Sequence, residues 1–199
     1  PSGTSTNMGS GSISGIKFNP CSNKLAHIEM DAWRTEIWDF DNASGTVSGT
    51  PIRLSPGNTK VYGCEFSPNG DILYMTTHVG KKIFQYDLTA GSEAAIQATQ
   101  FQVGNIPGST AGSLQIGPNG RIYVAGYNNT SVGVINDPDV IGAGCNYDPT
   151  GVPLDGGSKI LWGLPPFVSS FVNNVLSVFY TDLCVNTAIS FSYNFSGVV

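Results

Sequence analysis

Three short loops carry the side chains best suited to contact a ligand. They span residues 31–35, 77–81 and 126–130, and their candidate ligand-contact residues are Trp33, Arg34, His78 and Tyr127. Exposed aromatic rings beside hydrogen-bonding groups suit a sugar or a protein ligand. The alternative interpretation is that Trp33 packs on a neighbouring part of the fold and that the other three are solvated loop residues.

Catalytic chemistry has little support in the residue pattern. His27 lies between Ala26 and Ile28 in a strand-like run, where we expect it to face solvent or a neighbouring element, whereas His78 lies in a loop. The two histidines therefore do not form a symmetric metal pair. The sequence has no nucleophile elbow, no H-E-x-x-H pair and no phosphate-binding loop. We predict no catalytic residue and a protein that is not an enzyme.

Two groups of aspartates need an explanation. Asp39 and Asp41 alternate along one predicted strand, where capping of the following turn explains them better than acid–base chemistry. A second group, Asp137, Asp139 and Asp148, could bind Ca²⁺ together with nearby carbonyls, because Ca²⁺ takes roughly six to eight oxygen ligands. No EF-hand loop surrounds them. We predict no resident cofactor, with Ca²⁺ as the alternative.

The cysteines do not have the spacing of a metal site. Cys21, Cys64, Cys145 and Cys184 include no C-x-x-C pair, and only two histidines could assist them. An even count in an exported protein permits two disulfides, and the spacing leaves their pairing open. The alternative is that the cysteines are buried free thiols.

The composition excludes several classes of protein. Charged residues make up only 12% of the chain and aromatic residues 11%, so the chain can bury a core and is not disordered. The net charge of −5 argues against nucleic acid as a partner. No apolar run approaches the roughly 18 residues that span a bilayer, and we predict no membrane insertion. Low charge with many turn formers and aromatics is typical of an extracellular β protein.

The elements that must position these residues form a tandem repeat. Phe18, Phe66 and Ile116 occupy one position in three copies, at steps of 48 and 50 residues. A turn follows each of them, at Asn19-Pro20, at residues 67–70 and at residues 117–120. In the second and third turns, proline presets φ at the first corner and Asn-Gly supplies the positive φ of a tight reversal.

Each copy contains four short strand-like runs. We assign the fourth runs to residues 51–54, 95–98 and 159–162. Four strands per unit at this period are typical of propeller blades. The sequence therefore predicts an all-β fold, a β-propeller segment of four-stranded antiparallel blades within residues 1–180. Its repeats lie at about 13–54, 61–102 and 111–162, and a closing strand is expected at 167–180.

Five segments occur in an order that is itself informative. They are GCEFSPNGDILYMTT (63–77), IFQYDLTAG (83–91), LQIGPNGRIYVAGYN (114–128), VGVINDPDVIGAGCNYD (132–148) and WGLPPFVSSF (162–171). Together they resemble the WD40-like propeller of large cell-surface proteins exported by type IX secretion. In that family PKD-type, Ig-like domains commonly follow the propeller, and residues 181–199 resemble the opening of such a domain.

The resemblance implies export to the cell surface and a role in adhesion, gliding or surface assembly, with no catalytic residue to carry over. The chain departs from the family because it has only three repeats and no C-terminal sorting domain, and we expect it to be a piece of something longer. We expect an extracellular, non-catalytic module for adhesion or for building a surface appendage. Its expected partners are other domains or copies of the same large protein, and a glycan or protein ligand. The alternative is a propeller enzyme, a hydrolase or lyase, acting on extracellular glycans.

Overall fold

A computed structural model describes residues 12–165, which form three sheets of four antiparallel strands each. The first sheet contains β1 (Ile13–Phe18), β2 (Lys24–Glu29), β3 (Arg34–Asp41) and β4 (Thr46–Leu54). The second contains β5 (Val61–Phe66), β6 (Ile72–Thr77), β7 (Lys82–Asp87) and β8 (Phe101–Asn105). The third contains β9 (Ala111–Ile116), β10 (Ile122–Gly126), β11 (Ser131–Ile135) and β12 (Tyr147–Pro153). Neighbouring strands follow chain order in every sheet. These blade-like sheets confirm the all-β, β-propeller fold class.

The second sheet is packed on both faces, as the alternation of its side chains requires. Leu73 and Met75 of β6 join the apolar cluster shared with the first sheet. Ile72 and Tyr74, which alternate with them, join the cluster shared with the third sheet. Every residue of β6 is buried. The sheets therefore stack in chain order, with the second between the other two.

The repeat position used to align the three copies has the same role in the second and third sheets. Phe66 is buried in the cluster between the first and second sheets. Ile116 packs against the cluster between the second and third sheets. Each of these side chains therefore faces the sheet that precedes its own. Phe18, at the same position in the first sheet, is 47% exposed and contacts Phe40 at a ring-centroid distance of 4.8 Å.

The turns adopt the conformations that their residues predict. Gly70 and Gly120 have positive φ values of 81° and 73°. The carboxylate of Asp41 accepts a hydrogen bond from the Ala43 N–H at 2.9 Å. In the second sheet, Asp87 accepts from the Thr89 N–H at 2.9 Å. The Asp at the end of the third strand therefore caps the following turn in both sheets.

Two of the assigned fourth strands were wrong. Residues 95–98 belong to α1 (Glu93–Ala98), and the fourth strand of the second sheet is β8. Ser92 caps this helix by accepting a hydrogen bond from the Ala95 N–H at 3.3 Å, an arrangement that favours a helix start. The fourth strand of the third sheet is β12, whereas Ile160 forms a single bridge to Asn129.

The ring of Tyr147, the first residue of β12, packs closely against two glycines. A Cβ atom at Gly104 would lie 2.7 Å from Cδ1 of the Tyr147 ring. A Cβ atom at Gly133 would lie 2.9 Å from the Tyr147 hydroxyl oxygen. The ring therefore occupies space left by two glycines, one on the second sheet and one on the third.

The predicted closing strand at 167–180 and the PKD-type segment at 181–199 lie outside the described residues. Across residues 12–165, the structure has no helix that combines the length and apolar character needed to cross a membrane.

Candidate functional site at the inner strands and the loop end

The first strands of the three sheets, β1, β5 and β9, lie side by side. The first strand is the inner one of each blade, the one nearest the axis of a propeller. The approach of β5 to β9 is very close, because a Cβ atom at Gly63 would lie 2.9 Å from the Ser113 Cα. The inner strands therefore bring polar side chains from all three sheets together.

Lys17, Glu65 and Gln115 form a polar network across the inner strands. The Lys17 ammonium donates to Glu65 Oε2 at 2.6 Å and to Gln115 Oε1 at 2.9 Å. These partners lie 48 and 98 residues along the chain, which are the distances between equivalent positions in the repeats. Each residue directly precedes the phenylalanine or isoleucine that marks its copy. One position of the repeat thus supplies a cation, an anion and an amide that bond to each other.

The environment of Glu65 is nearly dry. Its side chain is 5% exposed, and burial raises the pKa of its carboxyl group while the Lys17 ammonium opposes that rise. The carboxylate also accepts hydrogen bonds from the Ile116 N–H at 3.1 Å and the Phe66 N–H at 3.2 Å. A buried carboxylate needs such partners to stay ionised.

A cavity of about 170 Å³ opens above this network, between the inner strands. Lys17, Gln115, Tyr62 and Leu164 are among the residues that line it. A mainly apolar recess with a few convergent polar groups is the usual form of a small-ligand site. We call this recess the axial pocket.

A second set of loops lies at one end of the sheets, where the second strand of each sheet turns into the third and where one sheet connects to the next. We call this surface the loop end, and it comprises residues 30–33, 55–60, 78–81, 106–110, 127–130 and 160–162. Backbone hydrogen bonds join several of these loops, including His78 N–H to the Lys60 carbonyl at 2.8 Å and Tyr127 N–H to the Thr110 carbonyl at 2.9 Å. The loop end is therefore a continuous surface.

Two stacked aromatic pairs lie at the loop end. The rings of Tyr62 and His78 stack at a centroid distance of 5.3 Å, and those of Tyr127 and Trp162 at 4.2 Å. The indole of Trp162 is 40% exposed and donates to Thr110 Oγ1 at 2.7 Å. The Trp162 carbonyl accepts from the Ser113 N–H at 2.7 Å, which ties the second pair to the inner strand β9.

The four residues singled out from the sequence lie in different surroundings. His78 and Tyr127 take part in the stacked pairs, and Trp33 is 41% exposed with a positive φ of 56°. Arg34 belongs to β3, where its guanidinium lies 2.6 Å from Glu29 and 2.9 Å from Glu36. The ligand-contact role of the four residues stays a prediction.

The residue patterns of the sequence did not point to Lys17, Glu65, Gln115 or Trp162. Trp162 was assigned to the fourth strand of the third repeat, so its place beside the 126–130 loop was not considered. The signal for the other three was present, because they share one repeat position on the inner strand of their sheets. That signal was hidden because the three residues differ.

The aspartates singled out from the sequence are each hydrogen-bonded or ion-paired within the protein. Asp137, Asp139 and Asp148 each accept a hydrogen bond from a different partner: Asn146, Asn69 and Thr150 respectively. Asp39 forms an ion pair with Lys24. Calcium binding by the first three stays a prediction.

Cys64 and Cys145 are free and buried, whereas Cys21 is disulfide-bonded. Cys184 lies outside the described part of the chain. Burial raises the pKa of both free thiols, so neither is activated as a nucleophile.

No protein-family model and no curated protein matches the sequence. Solved structures do match. The hydrazine synthase of Kuenenia stuttgartiensis is 16% identical with a TM-score of 0.49, over 71% of this chain and 37% of that chain. A luciferin-regenerating enzyme is 17% identical with a TM-score of 0.46, over 57% and 37%. The Cps50 (Swd1) β-propeller domain of Myceliophteria thermophila is 15% identical with a TM-score of 0.46, over 67% and 38%.

This chain spans about 37–38% of the length of each of those structures. At these identities the likeness concerns the fold alone and assigns no reaction or residue to this chain. The matches agree with the propeller part of the family resemblance and give no support to a PKD-type domain or to type IX export.

The prediction that the protein is not an enzyme was wrong. Two of the three structures that it is similar to are named as enzymes, a hydrazine synthase and a luciferin-regenerating enzyme. The lack of a familiar catalytic motif does not exclude catalysis, because one fold hosts many functions.

Proposed function

We propose that this chain is part of a ligand-binding β-propeller in an extracellular surface protein, with the ligand held at the loop end. The observation that carries the proposal is the pair of aromatic stacks, Tyr62–His78 and Tyr127–Trp162, placed on either side of β9. Stacked rings that remain partly exposed offer flat apolar surface at a low cost in side-chain entropy.

A sugar is the ligand class that this surface fits best. The apolar face of a pyranose can stack on the exposed part of Trp162, while neighbouring polar groups bond to its hydroxyls. The Thr110 hydroxyl, whose Oγ1 accepts from the Trp162 indole N–H at 2.7 Å, is a polar group of that kind beside the ring. Trp33, whose carbonyl accepts from Ser55 Oγ at 2.9 Å, adds a further exposed ring to the loop end.

Extracellular placement and a role in adhesion or surface assembly rest on the sequence. The low content of charged residues and the family resemblance support them. Other domains or copies of the same large protein are the partners that we propose, as the family resemblance implies.

Glycan binding by the full 199-residue chain tests the proposal. We expect wild type to bind a defined subset of a glycan array. In calorimetry with the sugar that binds best, Trp162→Ala should lower the affinity about tenfold or more, because aromatic anchors that become buried contribute most to such interfaces. Phe101→Ala is the matched control. Phe101 is 37% exposed, but it begins β8 at the end away from the 78–81 loop.

Equal binding by wild type and Trp162→Ala would refute a sugar site at the stacked rings. Equal losses in Trp162→Ala and Phe101→Ala would also refute it, because a general loss of folding would then explain both. Thermal unfolding of the variants separates these two outcomes.

A second candidate function is catalysis on extracellular glycans at the polar network of the inner strands. The observation that favours it is the Lys17–Glu65 pair, in which burial raises the pKa of a carboxyl group beside a cation. Such groups are candidate proton donors. Turnover of a glycan bound by wild type that is lost in Glu65→Gln, with binding retained, would support catalysis; no turnover of any bound glycan would refute it.

A further inference from the structure

A second polar cluster lies in the first sheet, away from the axial pocket. It consists of His27 and Glu29 on β2 and Glu36 on β3, with one ligand atom from each within 4.8 Å of the others. His27 lies opposite Glu36 in the strand pairing, and Glu29 lies opposite Arg34. Their side chains alternate with Ala26 and Ile28, which pack towards the second sheet. The cluster is therefore on the opposite face of the first sheet.

His27 has no hydrogen-bond partner in this cluster although it is only 1% exposed. Neither of its ring nitrogens finds a donor or an acceptor. A buried polar group without a partner costs about 1–3 kcal/mol, so native structures rarely retain one without a reason. Of the two surroundings expected from the sequence, His27 therefore faces neighbouring side chains and not solvent.

The arginines neutralise both carboxylates, but the contact of Glu29 with Arg34 is poorly aligned. Glu29 Oε2 lies 2.6 Å from Arg34 Nη2, yet the two groups are not aligned for a hydrogen bond, and Arg34 Nε also has no partner. Glu36 Oε1 accepts a hydrogen bond from Arg53 Nε at 2.9 Å and also lies 2.9 Å from Arg34 Nη2. Arg34 thus supplies positive charge to two buried carboxylates without the bidentate geometry that an arginine–carboxylate pair prefers.

The repeat shows that a blade does not need polar residues here. A step of 48 residues takes His27 to Met75 and Glu36 to Phe84, which also face each other across two strands. Both of those side chains are buried in an apolar cluster. Burying charged groups is costly where apolar ones would serve. The first sheet therefore has buried polar residues at two positions where the second sheet has methionine and phenylalanine.

We propose that His27, Glu29 and Glu36 bind a divalent transition metal of the zinc class, and that Arg34 is the counter-cation that the metal displaces. One imidazole and two carboxylates are ligands that zinc accepts, and three protein ligands leave a fourth position for water or a ligand. Metal–ligand bonds of about 2.1 Å place the ligand atoms of a tetrahedral site roughly 3.4 Å from one another. The three ligand atoms lie within 4.8 Å of one another in the structure, so the side chains must move closer together by about 1 Å when the metal binds.

Charge and access agree with the exchange of Arg34 for a metal. With Arg34 and Arg53 in place, two positive charges balance two carboxylates, so a divalent ion is accommodated best when a cation leaves. The Arg34 side chain is 34% exposed and follows the loop that carries Trp33, so it can move into solvent. The space that it vacates is an entry path for the ion.

Metal titration of the full chain, after removal of metal with a chelator, tests the proposal. We expect wild type to bind one Zn²⁺ in calorimetry and to give the visible absorption of tetrahedral Co²⁺. His27→Gln should weaken Zn²⁺ binding by at least about tenfold, because the imidazole ligand is lost. The matched control is His78→Gln, which removes the other histidine of the chain and should leave the affinity unchanged.

Arg34→Gln separates a metal site from a structural ion-pair network. If the metal displaces Arg34, this variant should bind Zn²⁺ about tenfold or more tightly than wild type, because the competing cation is gone. If the network is only structural, Arg34→Gln should unfold more readily and gain no affinity, which would overturn the proposal.

The proposal is also overturned if neither wild type nor Arg34→Gln binds Zn²⁺, or if His27→Gln and His78→Gln bind it equally well. Circular dichroism reports whether each variant folds. If His27→Gln does not fold, Glu29→Gln removes a different ligand and should show the same loss of Zn²⁺ and of the Co²⁺ absorption.

Discussion

Removal of the Lys17 ammonium is the sharpest test of the polar network at the inner strands. In Lys17→Met the side chain keeps much of its apolar length, but Glu65 loses a cation that lies 2.6 Å from its carboxylate. Glu65 is 5% exposed, so water cannot replace that cation without rearrangement. Only the backbone donors at Phe66 and Ile116 remain to the carboxylate.

The size of the effect follows from the burial of the pair. Removing one partner of a fully buried ion pair costs about 3–5 kcal/mol. Lys17 is 25% exposed and two backbone donors remain, so we expect a smaller loss in the free energy of unfolding at pH 7.5. That loss is about 2–3 kcal/mol, or roughly 4–12 °C in Tm for a chain of this size.

The loss must depend on pH if it arises from the charge of Glu65. Burial raises the pKa of Glu65 in the folded protein. A carboxyl group whose pKa is raised on folding contributes stability below its unfolded pKa of about 4.3, and that contribution is lost as pH rises through the folded pKa. Without Lys17 the folded pKa rises further. The destabilisation by Lys17→Met should therefore be largest near pH 7.5 and shrink towards pH 4.5.

Urea unfolding followed by tryptophan fluorescence at pH 7.5, 6.0 and 4.5 measures this dependence. Adding Glu65→Gln to Lys17→Met removes the stranded charge and should recover more than half of the loss at pH 7.5. Lys24→Met is a control, because Lys24 and Asp39 form an exposed ion pair that contributes little. A loss that is the same at every pH, or that Glu65→Gln does not relieve, would refute the charge argument and leave only packing.

Two further predictions concern the inner strands. Gly63→Ala should destabilise the protein by about 1–3 kcal/mol in urea unfolding, because its Cβ would lie 2.9 Å from Ser113 Cα. Gly15→Ala is the control, because a Cβ at this equivalent repeat position would lie 3.6 Å from its nearest neighbour and should be tolerated. Equal losses of stability in the two variants would contradict the close-approach explanation. Burial, and then the charge of Glu65, raise the pKa of the Cys64 thiol, so an aromatic disulfide reagent should modify Cys64 only after unfolding. Peptide mapping that finds Cys64 labelled in the native protein would contradict this.

The repeat and its turns could be predicted from the sequence because they depend on local chemistry. Proline, asparagine and glycine restrict or widen the backbone angles of the residue itself. Gly70 and Gly120 therefore have the same conformation in two copies whatever surrounds them. The alternation of side chains in β6 follows for the same reason, because successive residues of a strand point to opposite faces.

The fourth strands could not be assigned in the same way, because packing outside the segment decides them. Residues 95–98 contain Ile96, which suits either a strand or a helix. As part of α1, Ile96 is completely buried between the first and second sheets. The helix also bonds to the first sheet, where the Glu93 carboxylate accepts from the Arg53 N–H at 2.8 Å. These distant partners settle the conformation and are invisible in a local pattern.

The polar network escaped sequence analysis for a different physical reason. Repeats are recognised by sameness, but a position whose side chains meet near an axis cannot carry the same charge in every copy. Three lysines there would repel each other, and three glutamates would leave buried charge without a donor. Lys17, Glu65 and Gln115 satisfy each other because they differ. In a protein built from repeats, a polar position on the inner strand that differs between copies therefore indicates side chains that contact each other. Such a position is a better candidate for a binding site than the turns that repeat unchanged.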